Sequence, residues 1–192
     1  MKIIFVLITI VFSLWFTTTG DCPQKGDSTK ADHQQMDLLK NRITTSTNIN
    51  KNITLEKILK PGNDTSRFSN NDYADITGYV YEVKWGGAET YNCHSKDKSQ
   101  LDIHIELVSS LTGASNEKAM VVEITRYSKG SYTYEQIRAF RGKKVEIKGW
   151  MFFDEEYEQN AVNTRPNGTN LWRGTCWEIH PCQSIEEIKG QN

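Results

Sequence analysis

Five short segments in which apolar and polar residues alternate most constrain the fold of this chain. The first, ITGYVYEVKW (76–85), carries Gly78 where a strongly bent strand has no room for a side chain. The others are LDIHIELV (101–108), AMVVEITRY (119–127), KKVEIKGWMFFD (143–154) and CWEIHP (176–181). Alternation with a period of two predicts β-strands that bury one face.

Two further segments have helical spacing. SYTYEQIRAFRG (131–142) runs from a Ser or Thr cap to Gly142 and predicts a helix between the third and fourth strands. Residues 37–43 and 54–59 predict one short N-terminal helix that stops at Pro61. Three strands, a helix and two strands are the order of a five-stranded OB-fold Greek-key barrel. An open antiparallel sheet with one covering helix would give nearly the same pattern.

The N-terminus predicts export. Lys2 precedes a largely apolar run, Ile3–Phe16, which is interrupted only by Thr9 and Ser13, and small residues follow before Asp21, so residues 1–20 have the layout of a signal peptide. The mature chain is therefore expected to be secreted or periplasmic. Lipidation of Cys22, directly after this segment, is the alternative, and it is the only predicted route to a membrane.

Composition sets the domain organisation. Residues 21–36 are polar and predict a disordered leader, whereas residues 37–190 suffice for a single OB-fold-like domain. The formal net charge is −1 and both signs are mixed along the chain. This balance argues against a nucleic-acid partner, which requires a basic surface.

Four cysteines in an exported chain favour a disulfide bond. Cys176 and Cys182 would lie roughly 20 Å apart on an extended segment, too far to bond each other. Cys93 is then expected to pair with one of them, and we predict the bond Cys93–Cys176.

Several segments carry a resemblance to other proteins: PGNDTSRF, ITGYVYEVKWGGAETYNCHS, DIHIELV, GWMFFD and WEIHP. Between about Leu38 and Ile188 the chain resembles a group of uncharacterised exported bacterial proteins of OB-fold type, most distinctively in DxHIEL and WEIHP. The resemblance implies a barrel and an exported location, and it implies no established activity. It also implies that the helix before Pro61 belongs to the domain, and it argues against a bond at Cys182.

Histidines and acids suggest a metal site. Imidazole and carboxylate are the common ligands of zinc and similar divalent ions. The predicted Cys93–Cys176 bond would bring His94 toward the last strand. The candidate ligands are His94, Asp102, His104 and His180, with Glu123 or Glu178 as general base of a metal-dependent hydrolase of nuclease or phosphoesterase type. The alternative interpretation holds His180 in the barrel wall and leaves Asp102, His104 and Glu106 on a wetted strand face.

Aromatic residues suggest a different function. Barrels of this type use exposed rings to stack bases or sugars, and Trp85, Trp150 and Phe152 are expected to be half-exposed. The leading interpretation is therefore a non-catalytic exported domain without a cofactor. Its expected partner is an envelope polymer, an oligosaccharide or another protein. The metal-dependent hydrolase is the alternative.

Overall fold

A computed structural model describes residues 21–130 and 132–190 of the 192-residue chain. The predicted signal peptide, residues 1–20, lies outside the described residues, as does Ser131. Within the two described ranges, no helix has both the length and the apolar character needed to cross a bilayer.

Five strands close into a barrel in the order β1-β2-β3-β5-β4. Their bounds are Tyr73–Trp85 (β1), Ile103–Val108 (β2), Met120–Ile124 (β3), Lys144–Phe153 (β4) and Trp177–Glu187 (β5). All neighbouring pairs are antiparallel except β3 and β5, which run parallel. The predicted OB-fold-like barrel is confirmed, and the open-sheet alternative is wrong because the sheet closes.

The barrel interior is built from every second residue of the strands. Ile103, Ile105 and Leu107 of β2 are fully buried there. Met120, Val122 and Ile124 of β3 contribute in the same way, with Val145, Ile147 and Met151 of β4. These are the inward positions that the alternation predicts, since residues i and i+2 of a strand share a face.

Three α-helices accompany the barrel in the described part of the chain: α1 (Ala31–Lys40), α2 (Leu55–Ile58) and α3 (Tyr134–Arg138). The hydroxyl of Thr54 caps α2, which buries Leu55 and Ile58 in the core. Helix α3 begins at a capping box and lies between β3 and β4 as predicted, although it is shorter than residues 131–142.

The segment predicted to be a disordered leader requires a correction. Residues 31–36 form the first half of α1, and Cys22 is buried against the barrel. The expectation rested on the low apolar content of residues 21–36. This segment is instead held by a disulfide bond and by hydrogen bonds, which composition does not reveal.

The predicted disulfide is also wrong. Cys93 is bonded to Cys22, with the two Cα atoms 5.6 Å apart, whereas Cys176 and Cys182 are thiols inside the core. The bond occupies the sulfur of Cys22, so this structure contradicts lipidation at that atom. A disulfide of this kind is characteristic of proteins from an oxidising compartment.

Strand β5 continues past Pro181. Proline has no amide hydrogen to donate to a strand ladder, but β5 pairs with β4 as far as Glu187. The β4–β5 register shifts on both sides of Gly149. These shifts lie opposite the His180–Pro181 peptide bond, which is cis. A Cβ atom on Gly149 would lie 2.5 Å from the carbonyl oxygen of Pro181.

Replacing Gly149 tests this close approach. The change Gly149→Ala is expected to lower the free energy of unfolding by about 1–3 kcal/mol, because the added methyl group meets backbone that cannot move independently. Gly190→Ala is the control and should change it by less than about 0.5 kcal/mol, since nothing lies within 4 Å of a Cβ there. Urea denaturation of both variants measures the difference, and equal midpoints would contradict this account.

Candidate functional site

The outer face of β2, β3 and β5 carries a group of polar side chains that we call the outer-face cluster. Its members are Asp102, His104, Glu106, Glu123, Glu178 and His180. They alternate with inward apolar residues, and strand pairing brings them together. His104 of β2 is the register partner of Glu123 in β3. Glu178 and His180 follow one another on the outward side of β5, which pairs in parallel with β3.

The cluster is buried although it faces away from the barrel core. None of its members is more than 9% exposed. The side chains around it come from three places: Lys40 of α1, Tyr91 of the 3-10 turn Thr90–Asn92, and Trp172 of the segment before β5. The expectation of a wetted strand face for Asp102, His104 and Glu106 is therefore wrong, because these outer elements cover it.

Glu123 lies at the centre of the cluster. The phenol of Tyr91 donates a hydrogen bond of 2.6 Å to Oδ1 of Asp102 and lies 3.2 Å from Oε2 of Glu123. Nδ1 of His180 lies 3.3 Å from the same glutamate oxygen and 3.2 Å from Oε2 of Glu178. The carboxylate of Glu123 thus lies between Tyr91 of the turn Thr90–Asn92 and His180 of β5, and Tyr91 also bonds Asp102.

His104 stands between two carboxylates without bonding either. Its Nδ1 lies 3.8 Å from Oε1 of Glu123, and its Nε2 lies 3.7 Å from Oε1 of Glu106. Both distances are too long for a hydrogen bond. Among the described residues Nε2 has no other partner, and the same holds for Oδ2 of Asp102 and Nε2 of His180. Buried polar atoms without partners are rare and call for an explanation.

Two cations neutralise part of the cluster. Nη2 of Arg173 contacts Oε1 of Glu178 at 2.5 Å, and Nζ of Lys84 contacts Oε1 of Glu106 at 2.8 Å. In residues 21–130 and 132–190, no lysine or arginine forms a salt bridge with Asp102 or Glu123. Asp102 and Glu123 are therefore the two carboxylates of the cluster that have no lysine or arginine partner among the described residues.

Burial shifts the pKa values of the cluster. Loss of solvent lowers the pKa of His104 and of His180 well below the ordinary range, so both imidazoles are neutral at neutral pH. Burial raises the pKa of Asp102 to about 6. Burial, and then repulsion from Asp102, holds the pKa of Glu123 well above that of an ordinary glutamate. Negative charge here is costly unless a proton or another cation compensates it.

Lys40 closes the cluster on the α1 side. Its Nζ lies 2.8 Å from Asp154 and 3.2 Å from Glu89, above the rings of Tyr91 and Phe152. Burial lowers the pKa of Lys40, but the attraction of these two acids outweighs it and raises the pKa well above the usual value. Lys40 also lines an outer cleft of about 250 Å³.

The predicted metal ligands are brought together with one exception. Asp102, His104 and His180 lie in the cluster, joined by the two acids proposed as general bases, Glu123 and Glu178. His94 does not join them, because Cys93 is bonded to Cys22 rather than to the last strand. The side chain of His94 is 60% exposed, and its Nε2 lies 3.8 Å from Asp27.

The three predicted stacking residues do not share a surface. Trp85 and Trp150 lie at opposite ends of β1, since Trp85 is its last residue and Trp150 pairs with Tyr73. Trp85 stacks on Tyr134, and Nε1 of Trp150 donates to the carbonyl oxygen of Thr44. Phe152 was expected to be half-exposed, which is wrong: it is fully buried beside His180.

Sequence reasoning missed Tyr91 and Arg173. Tyr91 stands two residues before Cys93, and only knowledge of the disulfide partner would have placed it over the cluster. Arg173 directly precedes GTCWEIHPC, and no spacing rule singles it out. Its burial and its contact with Glu178 follow from the tertiary structure alone.

Comparison with known proteins does not assign the site. No protein-family model matches the chain, and no curated protein is significantly similar to it in sequence.

The cluster contains two sets of metal-ligating groups that share Glu123. One set is Asp102, His104 and Glu123, and the other is Glu123, Glu178 and His180. In each set the donor atoms lie within 4.8 Å of one another. Neutral imidazoles and carboxylates suit zinc and other first-row divalent ions. The arrangement thus has the donor chemistry of a metal centre on the outside of the barrel.

The Arg173–Glu178 contact gives a prediction about stability. Arg173→Met should lower the free energy of unfolding by about 3–5 kcal/mol, because it leaves the Glu178 carboxylate buried without its cation. The double variant Arg173→Met/Glu178→Leu should recover much of this loss, since neither charge is then buried. The exposed pair Arg138–Glu135 is the control, and Arg138→Met should cost less than about 0.5 kcal/mol. Denaturant titration of wild type, the three single variants Arg173→Met, Glu178→Leu and Arg138→Met, and the double variant tests the cycle, and additive losses in the double variant would argue against it.

Proposed function

We propose that this protein is an exported domain that binds one divalent metal ion, such as zinc, through Asp102, His104 and Glu123. The observation that carries the proposal is the His104 imidazole, which is buried between two carboxylates at distances beyond hydrogen bonding. Nδ1 of His104, which faces Glu123, makes no hydrogen bond among the described residues, and an ion bound between these two side chains would give it a partner.

The spacing of the donor atoms supports this assignment. Nitrogen and oxygen ligands lie about 2.0–2.2 Å from zinc, which places two ligands of a tetrahedral site about 3.4 Å apart. Nδ1 of His104 and Oε1 of Glu123 are 3.8 Å apart. Small rotations of the side chains would therefore bring both atoms to bonding distance from one ion.

Charge balance favours this set over the one that contains Glu178. The four carboxylates of the outer-face cluster carry −4 when ionised, and Arg173 and Lys84 supply +2. The remaining −2 is located on Asp102 and Glu123, and one divalent ion would neutralise it. Glu178 is already compensated by Arg173, so an ion beside it would meet a guanidinium group.

The same contacts bear on catalysis. If Glu123 is a ligand, it is not available as the general base that a hydrolase requires. Both oxygens of Glu178 are engaged, one by Arg173 and the other by His180. Binding without hydrolysis is therefore the function these contacts favour. Recognition of an envelope polymer, an oligosaccharide or a protein partner stays a prediction.

Export is part of the proposal. Two observations support a secreted or periplasmic location: the signal-peptide layout of residues 1–20 and the Cys22–Cys93 disulfide. Such a location would expose the site to environmental metal ions.

Zinc binding is testable with a matched pair of histidines. Chelator-treated wild-type protein is expected to take up one Zn²⁺ per chain in calorimetric titration. His104→Ala removes a side chain that would bind the ion directly, so the affinity should fall by about 100-fold or more. Loss of a residue that only hydrogen-bonds to a ligand weakens metal affinity by roughly 10–100-fold. His94→Ala removes an exposed histidine outside the cluster and should leave the affinity unchanged.

Two results would contradict the metal site: wild-type protein that binds no zinc, or His104→Ala protein that binds it as tightly as wild type. The visible spectrum of the Co²⁺-substituted protein supplies an independent measurement of coordination by His104. Circular dichroism of His104→Ala confirms that the variant is folded before its affinity is compared.

A further inference from the structure

The 3-10 turn Thr90–Asn92 separates the proposed ion position from the N-terminal segment. Tyr91, the middle residue of this turn, is almost fully buried. Its phenol contacts two of the three proposed ligands, Asp102 and Glu123. The edge of its ring also contacts the ring of His180. An ion that approaches Asp102 and Glu123 from this side would first have to displace Tyr91.

The turn is tied to the N-terminal segment by one covalent bond and by hydrogen bonds. Cys93 is the residue that ends the turn, and its sulfur is bonded to Cys22. The carbonyl oxygen of Thr90 accepts from the amide of Asp27 at 3.1 Å. The carbonyl oxygen of Tyr91 accepts from Nδ2 of Asn41 at 2.9 Å.

Cys22 is itself anchored to the barrel. Its carbonyl oxygen accepts a hydrogen bond of 2.7 Å from the phenol of Tyr127 and another from the guanidinium of Arg126. Both residues lie shortly after β3, which ends at Ile124 and carries Glu123. The disulfide therefore connects the two sides of the cluster, from the covering turn to the end of β3.

From these contacts, and on the basis of the proposed metal site, we infer that the turn Thr90–Asn92 is a lid over the ion position. Tyr91 forms the inner face of the lid, and the Cys22–Cys93 disulfide holds it closed. The function of the disulfide is then to set the rate at which ions enter and leave, in addition to its contribution to stability.

The physical reason lies in what must move for the lid to open. With the disulfide intact, displacement of Tyr91 pulls Cys22 with it and breaks the contacts of Cys22 with Arg126 and Tyr127. Without the disulfide, the contacts of Cys22 stay intact, and opening breaks only the hydrogen bonds that the turn itself makes. Segments held by few contacts open locally far more often than the rest of a fold.

Release of zinc to a chelator measures this effect. Zinc-loaded protein is mixed with excess chelator, and the release rate is followed with a zinc-sensitive dye. In Cys22→Ser/Cys93→Ser the rate is expected to rise by about tenfold or more, because opening of a lid can limit the rate of release from a closed site. His94→Ala alters an exposed side chain next to Cys93 and should release zinc at the wild-type rate.

Tyr91 variants test the same lid with the disulfide intact. Tyr91→Ala removes the ring that covers the ligands and should accelerate release, even if the double serine variant does not fold. Tyr91→Phe keeps the ring and should release zinc more slowly than Tyr91→Ala. Wild-type release rates in both Tyr91→Ala and the double serine variant would overturn the inference while leaving the metal site intact.

A measurement without metal separates the two proposals. The amides of Asn92, Cys93 and His94 are bonded within the turn, to the carbonyl oxygens of Glu89 and Thr90. In metal-free protein their hydrogen exchange should be faster in Cys22→Ser/Cys93→Ser than in wild type. Equal protection in both proteins would overturn the lid, and this outcome does not depend on whether zinc binds.

Discussion

The parallel pairing of β3 with β5 is the contact on which the rest of the structure depends. Val121 is paired with Glu178 and Val122 with Ile179, and these pairs close the sheet into a barrel. Because outward residues pair with outward residues, the same contact places Glu123 beside Glu178 and His180. Closure of the hydrophobic interior and assembly of the polar cluster are therefore two consequences of one register. A slip of one residue would remove both, since it would turn every side chain to the other face.

The cluster has two opposing energetic requirements. Burial disfavours the charged form of a carboxylate and raises the pKa of Asp102 and of Glu123, and repulsion from Asp102 adds to the shift at Glu123. The protein compensates part of the charge with buried or half-buried cations, Arg173 and Lys84, and caps His180 with aromatic rings. Among the described residues, the two carboxylates beside His104, those of Asp102 and Glu123, form no salt bridge with a lysine or an arginine. A divalent ion would offset their negative charge and also give Nδ1 of His104 a partner.

The extent to which the sequence predicts this structure differs between the two faces of the barrel. Inward residues such as Ile105, Val122 and Ile147 follow from alternation, because a closed interior accepts only apolar side chains. Asp102, His104 and Glu106 were interpreted as a wetted strand face, because strand periodicity does not show what covers a face. Asp102, His104 and His180 could be named as candidate ligands from their chemistry. Their burial, and the participation of Arg173, depend on distant segments that no local pattern connects to them.

The partner of Cys93 was predicted incorrectly, and its actual bond to Cys22 also determines the position of the turn Thr90–Asn92. A bond from Cys93 to Cys176 would have drawn His94 toward β5 and the outer-face cluster. The actual bond to Cys22 leaves His94 exposed and turns Tyr91, two residues earlier, onto Asp102 and Glu123. Cysteine pairing therefore decides which side chain of this loop reaches the cluster. It follows that residues 21–30, which lack the apolar content to fold alone, belong to the site because one covalent bond fastens them over it.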